Sequence, residues 1–254
     1  MQGKTLVGYF EAVKLTDYFN AIFVINIDKR TDRWAECVAE FLTAKIPLSK
    51  VTRWSAYENA ATPQSAGTHT HRDILRHVAR EKIPRALILE DDFCAITTKM
   101  LADAGHVPGR KVLDTHCSVL NGDGNLSQRF EAMMPFLPHN YDFLYLGGGY
   151  AENPVRRYNK HVIQCLTMKG THAYACTAES AARWTAWIDG RTNGDIDFNC
   201  GAADDMITSA SHEGFKFYCL QPRLLSQRPG MSDLTGRMES YLDSLTNDFH
   251  ENLV

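Results

Sequence analysis

The stretch "ALILEDDF", Ala86 to Phe93, runs four apolar residues straight into three consecutive carboxylates, Glu90, Asp91 and Asp92. A short run of that composition reads as a strand buried on both faces of a sheet. Successive side chains on a strand point to opposite faces, so Glu90 and Asp92 are expected on one face and Asp91 on the other. Two carboxylates converging beyond a buried strand repel each other, and desolvation adds to the penalty. A divalent cation with oxygen ligands, Mn2+ or Mg2+, relieves both. The plainer alternative is a solvated turn whose acids pair with Lys or Arg. The apolar strand directly before the acids favours the cation.

Outward from this strand, the chain alternates. "AIFVINID" (Ala21 to Asp28) is a second buried strand, and a helix follows with Trp34, Val38, Phe41 and Leu42 on one stripe, stopped by Pro47. "VTRWSAY" reads as a shorter strand, and "THRDILRHVARE" as a helix with Ile74, Leu75 and Val78 inward. That order predicts an α/β fold: a mixed, mostly parallel sheet with helices on both faces. Residues 101–126, rich in Gly, Pro, Asp and Asn, read as a loop or insertion. Strands return in "YDFLYLGGGY", "THAYACT" and "FKFYCL", with a helix in "AESAARWTAWI" that turns Trp184, Trp187 and Ile188 inward. "RMESYLDSLTNDF" reads as a terminal helix. With no internal repeat, a single domain over residues 1–254 is expected.

Composition narrows the function classes. A net charge of -3 argues against a broad nucleic-acid or acidic-membrane face, although a local basic patch is compatible with it. Seven scattered cysteines without a CxxC pair argue against a disulfide framework or thiolate zinc site and for a cytoplasmic-type compartment. No leader peptide and no transmembrane segment are expected, so any membrane contact would be peripheral.

Other polar segments stand at strand ends, where open α/β sheets bind ligands. "NIDKRTDR" offers Asn26, Asp28, Arg30 and Arg33, suited to gripping a nucleotide through amide, carboxylate and guanidinium, or to capping the helix behind them. "GTHTH" (Gly67 to His71) reads as a hydrogen-bonding His at a helix start rather than a zinc pair. "LGGG" allows either close approach to a ligand or a flexible turn. "GAADDMI" supplies Asp204 and Asp205, each a possible general base or helix cap. "QPRLLSQRPGMSDL" carries Gln227, Arg228, Ser232 and Asp233, which either close over phosphates or simply connect.

Taken in order, "FVINIDKRTDRW", "AGTHTHRDIL", "ALILEDDF", "FLYLGG", "GTHAYACTAESA" and "QPRLLSQRPGMSDL" resemble the segments of glycosyltransferase family 25, over about residues 22–234. This family contains lipopolysaccharide and lipooligosaccharide galactosyltransferases and collagen galactosyltransferases. Thr70 stands where the family usually has Ser. The resemblance implies a GT-A fold with a nucleotide-sugar half at about 22–100 and an acceptor-side half at about 127–234. It implies an inverting transfer of galactose or glucose from a UDP-sugar to a hydroxyl of a glycan, a lipid-linked sugar or a protein. Glu90, Asp91 and Asp92 would form its metal-associated acid motif, with Asp92 and then Glu90 as ligands of Mn2+ or Mg2+. Asn26, Asp28, Arg30, Arg33, Thr70, His71, Glu90, Asp91 and Gln227 would hold the donor. Asp205 or Asp204 would be the base. A modified nucleic-acid base as acceptor and a non-catalytic nucleotide-sugar-binding module are the rival readings.

Overall fold

The computed structural model describes residues 14–58, 62–97, 100, 125–148, 151–192, 202–233 and 235–239. The expected loop at 101–126, except its last two residues, and the expected terminal helix beyond Glu239 lie outside them. After a four-residue helix α1 (Leu15–Tyr18), strand β1 (Ala21–Asn26) enters the core. Its alternation is physical: Ile22 and Val24 face one layer, Phe23 and Ile25 the other. Helix α2 (Thr31–Thr43) covers the first face with Cys37 and Phe41, and α3 (Pro63–Arg80) covers the second with Ile74, Leu75 and Val78. Burying an aromatic such as Phe41 contributes about 2–3 kcal/mol.

Between and after these helices come β2 (Val51–Ser55), β3 (Arg85–Glu90) and the short β4 (Phe93–Ala95). Next are α4 (Leu126–Met133), β5 (Phe143–Gly147), β6 (Ala151–Asn159), β7 (Val162–Met168) and β8 (Ala173–Thr177). The chain continues with α5 (Ala178–Thr192), α6 (Ala203–Ser209), β9 (Phe217–Leu220), β10 (Leu225–Gln227), β11 (Gly230–Met231) and β12 (Met238–Glu239). Eight strands form one sheet in the order β2-β1-β3-β8-β5-β9-β7-β6, while β10 pairs with β4 and β11 with β12. The α/β class, the mixed sheet and the helices on both faces agree with the sequence. Parallel pairing is less dominant than expected: it joins β2-β1-β3 and β5-β9, and the other pairings are antiparallel.

Three local expectations are corrected, and two features are new. Leu42 is 64% exposed, and Cys37, one turn after Trp34 and one before Phe41, takes its place in the stripe of α2. Helix α3 starts at Pro63, because the Thr62 side chain accepts from the Ser65 amide and caps it, so His69 to His71 lie well inside the helix. The β6–β7 hairpin and α4 have no counterpart in the sequence reading. β6 carries Pro154 and three charged residues on a sheet edge, which hides its strand character. Met238 and Glu239, expected in a terminal helix, pair with β11 as a strand.

The register decides where side chains meet. β1 runs outward to β2 through α2, and the chain then returns past β1 to β3 through α3 on the opposite face. The carboxyl ends of β1 and β3 therefore flank a reversal in strand order, the place where such sheets leave a crevice. Asn26 lies beside Ser55 there, and Ile25 beside Glu90. β8 is antiparallel to β3, so Thr171 and His172, just before it, arrive at the same edge.

Candidate functional site

The acid triplet sits at that crevice. Glu90 ends β3, and Asp91 and Asp92 form the turn into β4. Asp91 is buried and turned toward α2: Asn26 Nδ2 donates to its Oδ2 at 2.6 Å, and Arg33 Nη1 to its Oδ1 at 2.8 Å. Glu90 points to the α3 face, where His71 Nε2 lies 3.3 Å from Oε1 and the Thr171 hydroxyl donates to the same oxygen. The opposition of Glu90 and Asp91 follows from the strand period. Asp92 lies in the turn beyond the strand. Gln227 Nε2 approaches its Oδ2 at 3.3 Å, and Arg33 Nη1 is 3.9 Å away, while Oδ1 is buried without a partner.

Electrostatics separate the three acids. Burial pushes the Asp92 carboxyl up, Glu90 and Asp91 push it further, and it reaches about 7. Burial also raises Asp91, against the opposing pull of Arg33 and Asn26. For Glu90, burial acts upward, but the His71 and Thr171 hydrogen bonds and the His71 ring prevail and hold it below its ordinary value. Asp92 is thus the acid with the weakest compensation. Its orphaned oxygen and its like-charged neighbours fit a hard cation, which removes the penalty that holds the proton there. Among the described residues, no three His, Cys, Asp or Glu side chains form a complete metal-binding group.

The nucleotide-gripping segment surrounds this turn. Asn26 also donates to the Arg30 carbonyl and accepts from Arg53 Nε at 2.7 Å. Asp28, on the rim, accepts from the Ser55 hydroxyl at 2.6 Å. Arg30 is clamped by Asp32 and Asp233, and Arg33 is shared among Asp91, Asp92, Asp233 and the Met231 carbonyl. The segment carrying Gln227 is a strap: β10 ladders onto β4, the Arg228 amide donates to the Asp92 carbonyl, and its guanidinium reaches Glu36 and Glu40 of α2.

Thr70 and His71 are brought near but face inward. The Thr70 hydroxyl accepts from the Tyr57 amide and donates to the Ala66 carbonyl, and His71 Nδ1 meets the buried Tyr174 hydroxyl at 3.0 Å. Both ring nitrogens of His71 are therefore engaged, which rules against the zinc pair. Asp204 and Asp205 open α6 on the far side of residues 169–171. Asp204 Oδ2 accepts from the Gly170 amide at 3.1 Å, its Oδ1 from the Asp205 amide, and Asp205 pairs with Lys169. One residue on, Thr171 holds Glu90, so the two acidic centres share a single short segment.

Sequence reasoning missed Thr171, Arg53 and His172. Their signal was the start of "THAYACT" at the shared sheet edge and the alternation of "VTRWS". His172 is 2% exposed and has no well-formed hydrogen bond on either ring nitrogen, and burial pushes it down to about 4. Gly147 and Gly148 of "LGGG" serve the chain itself: a Cβ on Gly147 would stand 2.3 Å from the Leu225 carbonyl, and one on Gly148 2.4 Å from Met168 Sδ. A cavity of about 290 Å³ lined by Tyr18, Arg85, Leu137 and Tyr141 lies at the opposite end of β3, away from the acids.

A scan of protein-family models found no match, and neither did a search of curated proteins.

Among the described residues, no helix is long and apolar enough to cross a membrane.

Proposed function

We propose that this chain is a metal-dependent, inverting glycosyltransferase that moves a hexose from a UDP-sugar to a hydroxyl acceptor on a glycan, lipid-linked sugar or protein, as its resemblance to family 25 implies. One observation carries the reading. At the crevice between β1 and β3, the Asp92 carboxyl has one buried, unpartnered oxygen and feels the charge of Glu90, while its other oxygen lies 3.9 Å from Arg33, which shares Asp233 with Arg30. Asp92 would hold Mn2+ or Mg2+. Glu90, already held by two donors, is the weaker candidate. The cation would neutralise the diphosphate as it leaves. Arg30 and Arg33 would bind phosphate oxygens, with Asn26 and Asp28 toward the ribose or base. Asp205 or Asp204 would take the acceptor proton from the side opposite the leaving group.

A thermal-shift screen of nucleotide sugars with and without Mn2+ tests this, because a ligand bound only by the native state raises apparent stability. Stabilisation by a UDP-sugar that needs the cation and vanishes in Asp92→Asn supports it. Tight binding in excess chelator, unchanged in that variant, sinks the metal assignment. A second reading, a nucleotide-sugar-binding module without turnover, is favoured by one feature: both candidate bases are engaged, Asp205 by Lys169 and Asp204 by the Gly170 amide. Cation-dependent donor binding with neither hydrolysis nor transfer would select it.

A further inference from the structure

Two cationic side chains of the crevice converge on one carboxylate of the chain itself. Arg30 Nη1 pairs with Asp233 Oδ2, and Arg33 Nη1 lies 3.7 Å from the same oxygen. Arg33 Nη2 also donates to the Met231 carbonyl, two residues earlier. Both arginines are only partly exposed, at 21% and 13% of their side chains, so they point into the crevice rather than into bulk solvent. Asp233 belongs to the small β11–β12 hairpin, which holds itself together: the Ser232 amide donates to the Arg237 carbonyl at 2.8 Å, and in the ladder Gly230 pairs with Glu239 and Met231 with Met238.

A carboxylate between two guanidinium groups reproduces one edge of a phosphate. The charges around it do not favour a second anion. Asp32 stays on Arg30, and Asp91 and Asp92 stay near Arg33, so the position that both arginines share is the one Asp233 holds. A phosphate oxygen entering beside Arg30 and Arg33 would meet Asp233 in its place. We infer that Arg30 and Arg33 form an oxyanion site for a phosphate or diphosphate group, and that Asp233 holds it shut as an internal mimic. Binding then expels Asp233 and frees the hairpin from α2. This rests on the proposed donor site, and it adds a competition that the donor must win.

The test uses inorganic pyrophosphate in chelator, with calorimetry on the full chain, Asp233→Asn and Asp32→Asn. Asp32 also hydrogen-bonds Arg30 but lies on α2, outside the hairpin, so its variant removes charge and frees one arginine without releasing the hairpin. The expected result is about two- to fivefold tighter binding in Asp233→Asn, within the range an exposed ion pair supports, and a smaller gain in Asp32→Asn. Pyrophosphate should also hasten tryptic cleavage after Arg237 in the native chain, and that cleavage should already be fast in Asp233→Asn. Equal gains in the two variants, or cleavage indifferent to pyrophosphate, overturn the inference. UDP-sugar binding is measured in parallel with Mn2+ in place of the chelator. If it fails while the pyrophosphate gain persists, the transferase reading falls and the closed site stands. The reverse pattern leaves the reading intact and removes the closed site.

Discussion

Gln227 Nε2 lies 3.3 Å from Asp92 Oδ2, and the other oxygen of that carboxylate is buried without a partner. A side chain from the late strap thus satisfies one half of an acid that the central strand delivers. The strap is held to it by the β4–β10 ladder and by the Arg228 amide on the Asp92 carbonyl. The geometry leaves one acid oxygen for something the chain does not supply.

Cation binding should therefore compete with a proton. With the Asp92 carboxyl pushed up to about 7, Mn2+ affinity should fall as pH drops below that value, by up to about tenfold per unit. Calorimetry at pH 6 in buffers of different ionisation enthalpy should show close to one proton released per cation bound. Asp92→Asn should abolish both the binding and the release.

Asp91 and Asp92 should behave differently when altered. Arg33→Met leaves Asp91 buried with only Asn26 as a partner, and should destabilise the protein by about 3–5 kcal/mol in denaturant unfolding. Asp92→Asn removes an uncompensated acid, so the metal-free protein should keep or gain stability at pH 8. A loss of several kcal/mol there would mean that Asp92 is structural.

His172 and Asp92 should give opposite slopes of stability with pH. The His172 ring is pushed down to about 4, so the unfolded chain binds the extra proton between about 4 and 6.5, and stability is lost as pH falls through that window. Asp92 is raised, so the metal-free folded state keeps its proton longer, and stability is lost as pH rises from about 4 to about 7. Each slope is up to ~1.4 kcal/mol per pH unit. Unfolding of Asp92→Asn should therefore show steeper acid loss than the native chain, and His172→Gln a shallower one.

Gly147 and Gly67 form a contrasting pair. Gly147→Ala would drive a methyl into the Leu225 carbonyl and to 2.8 Å from His172 Nε2, so it should destabilise by about 3 kcal/mol and pull Gln227 off Asp92. Gly67→Ala, inside α3 with nothing within 4 Å of the new Cβ, should stabilise by about 0.5–1 kcal/mol. Denaturant midpoints with an unchanged slope check both.

The strands "AIFVIN" and "RALILE", the helices between them, and the acids at the end of β3 were all legible in the sequence, because burial on both faces demands unbroken apolar runs and a 3.6-residue stripe is local. So was the opposition of Glu90 and Asp91, which follows from the two-residue period of a strand. The fates of the acids were not. Asp91 accepts a hydrogen bond from Asn26, 65 residues away, and pairs with the Arg33 guanidinium, whereas Asp92 meets Gln227 from 135 residues away. Pairing across such separations is set by strand order and register, and a one-residue change of register would turn every partner to the other face. Local pattern by itself determined which residues carry charge to the edge of the sheet. Only the tertiary structure decided which of those charges are compensated, because desolvation and partner geometry exist only once the strands, α2 and the strap are assembled.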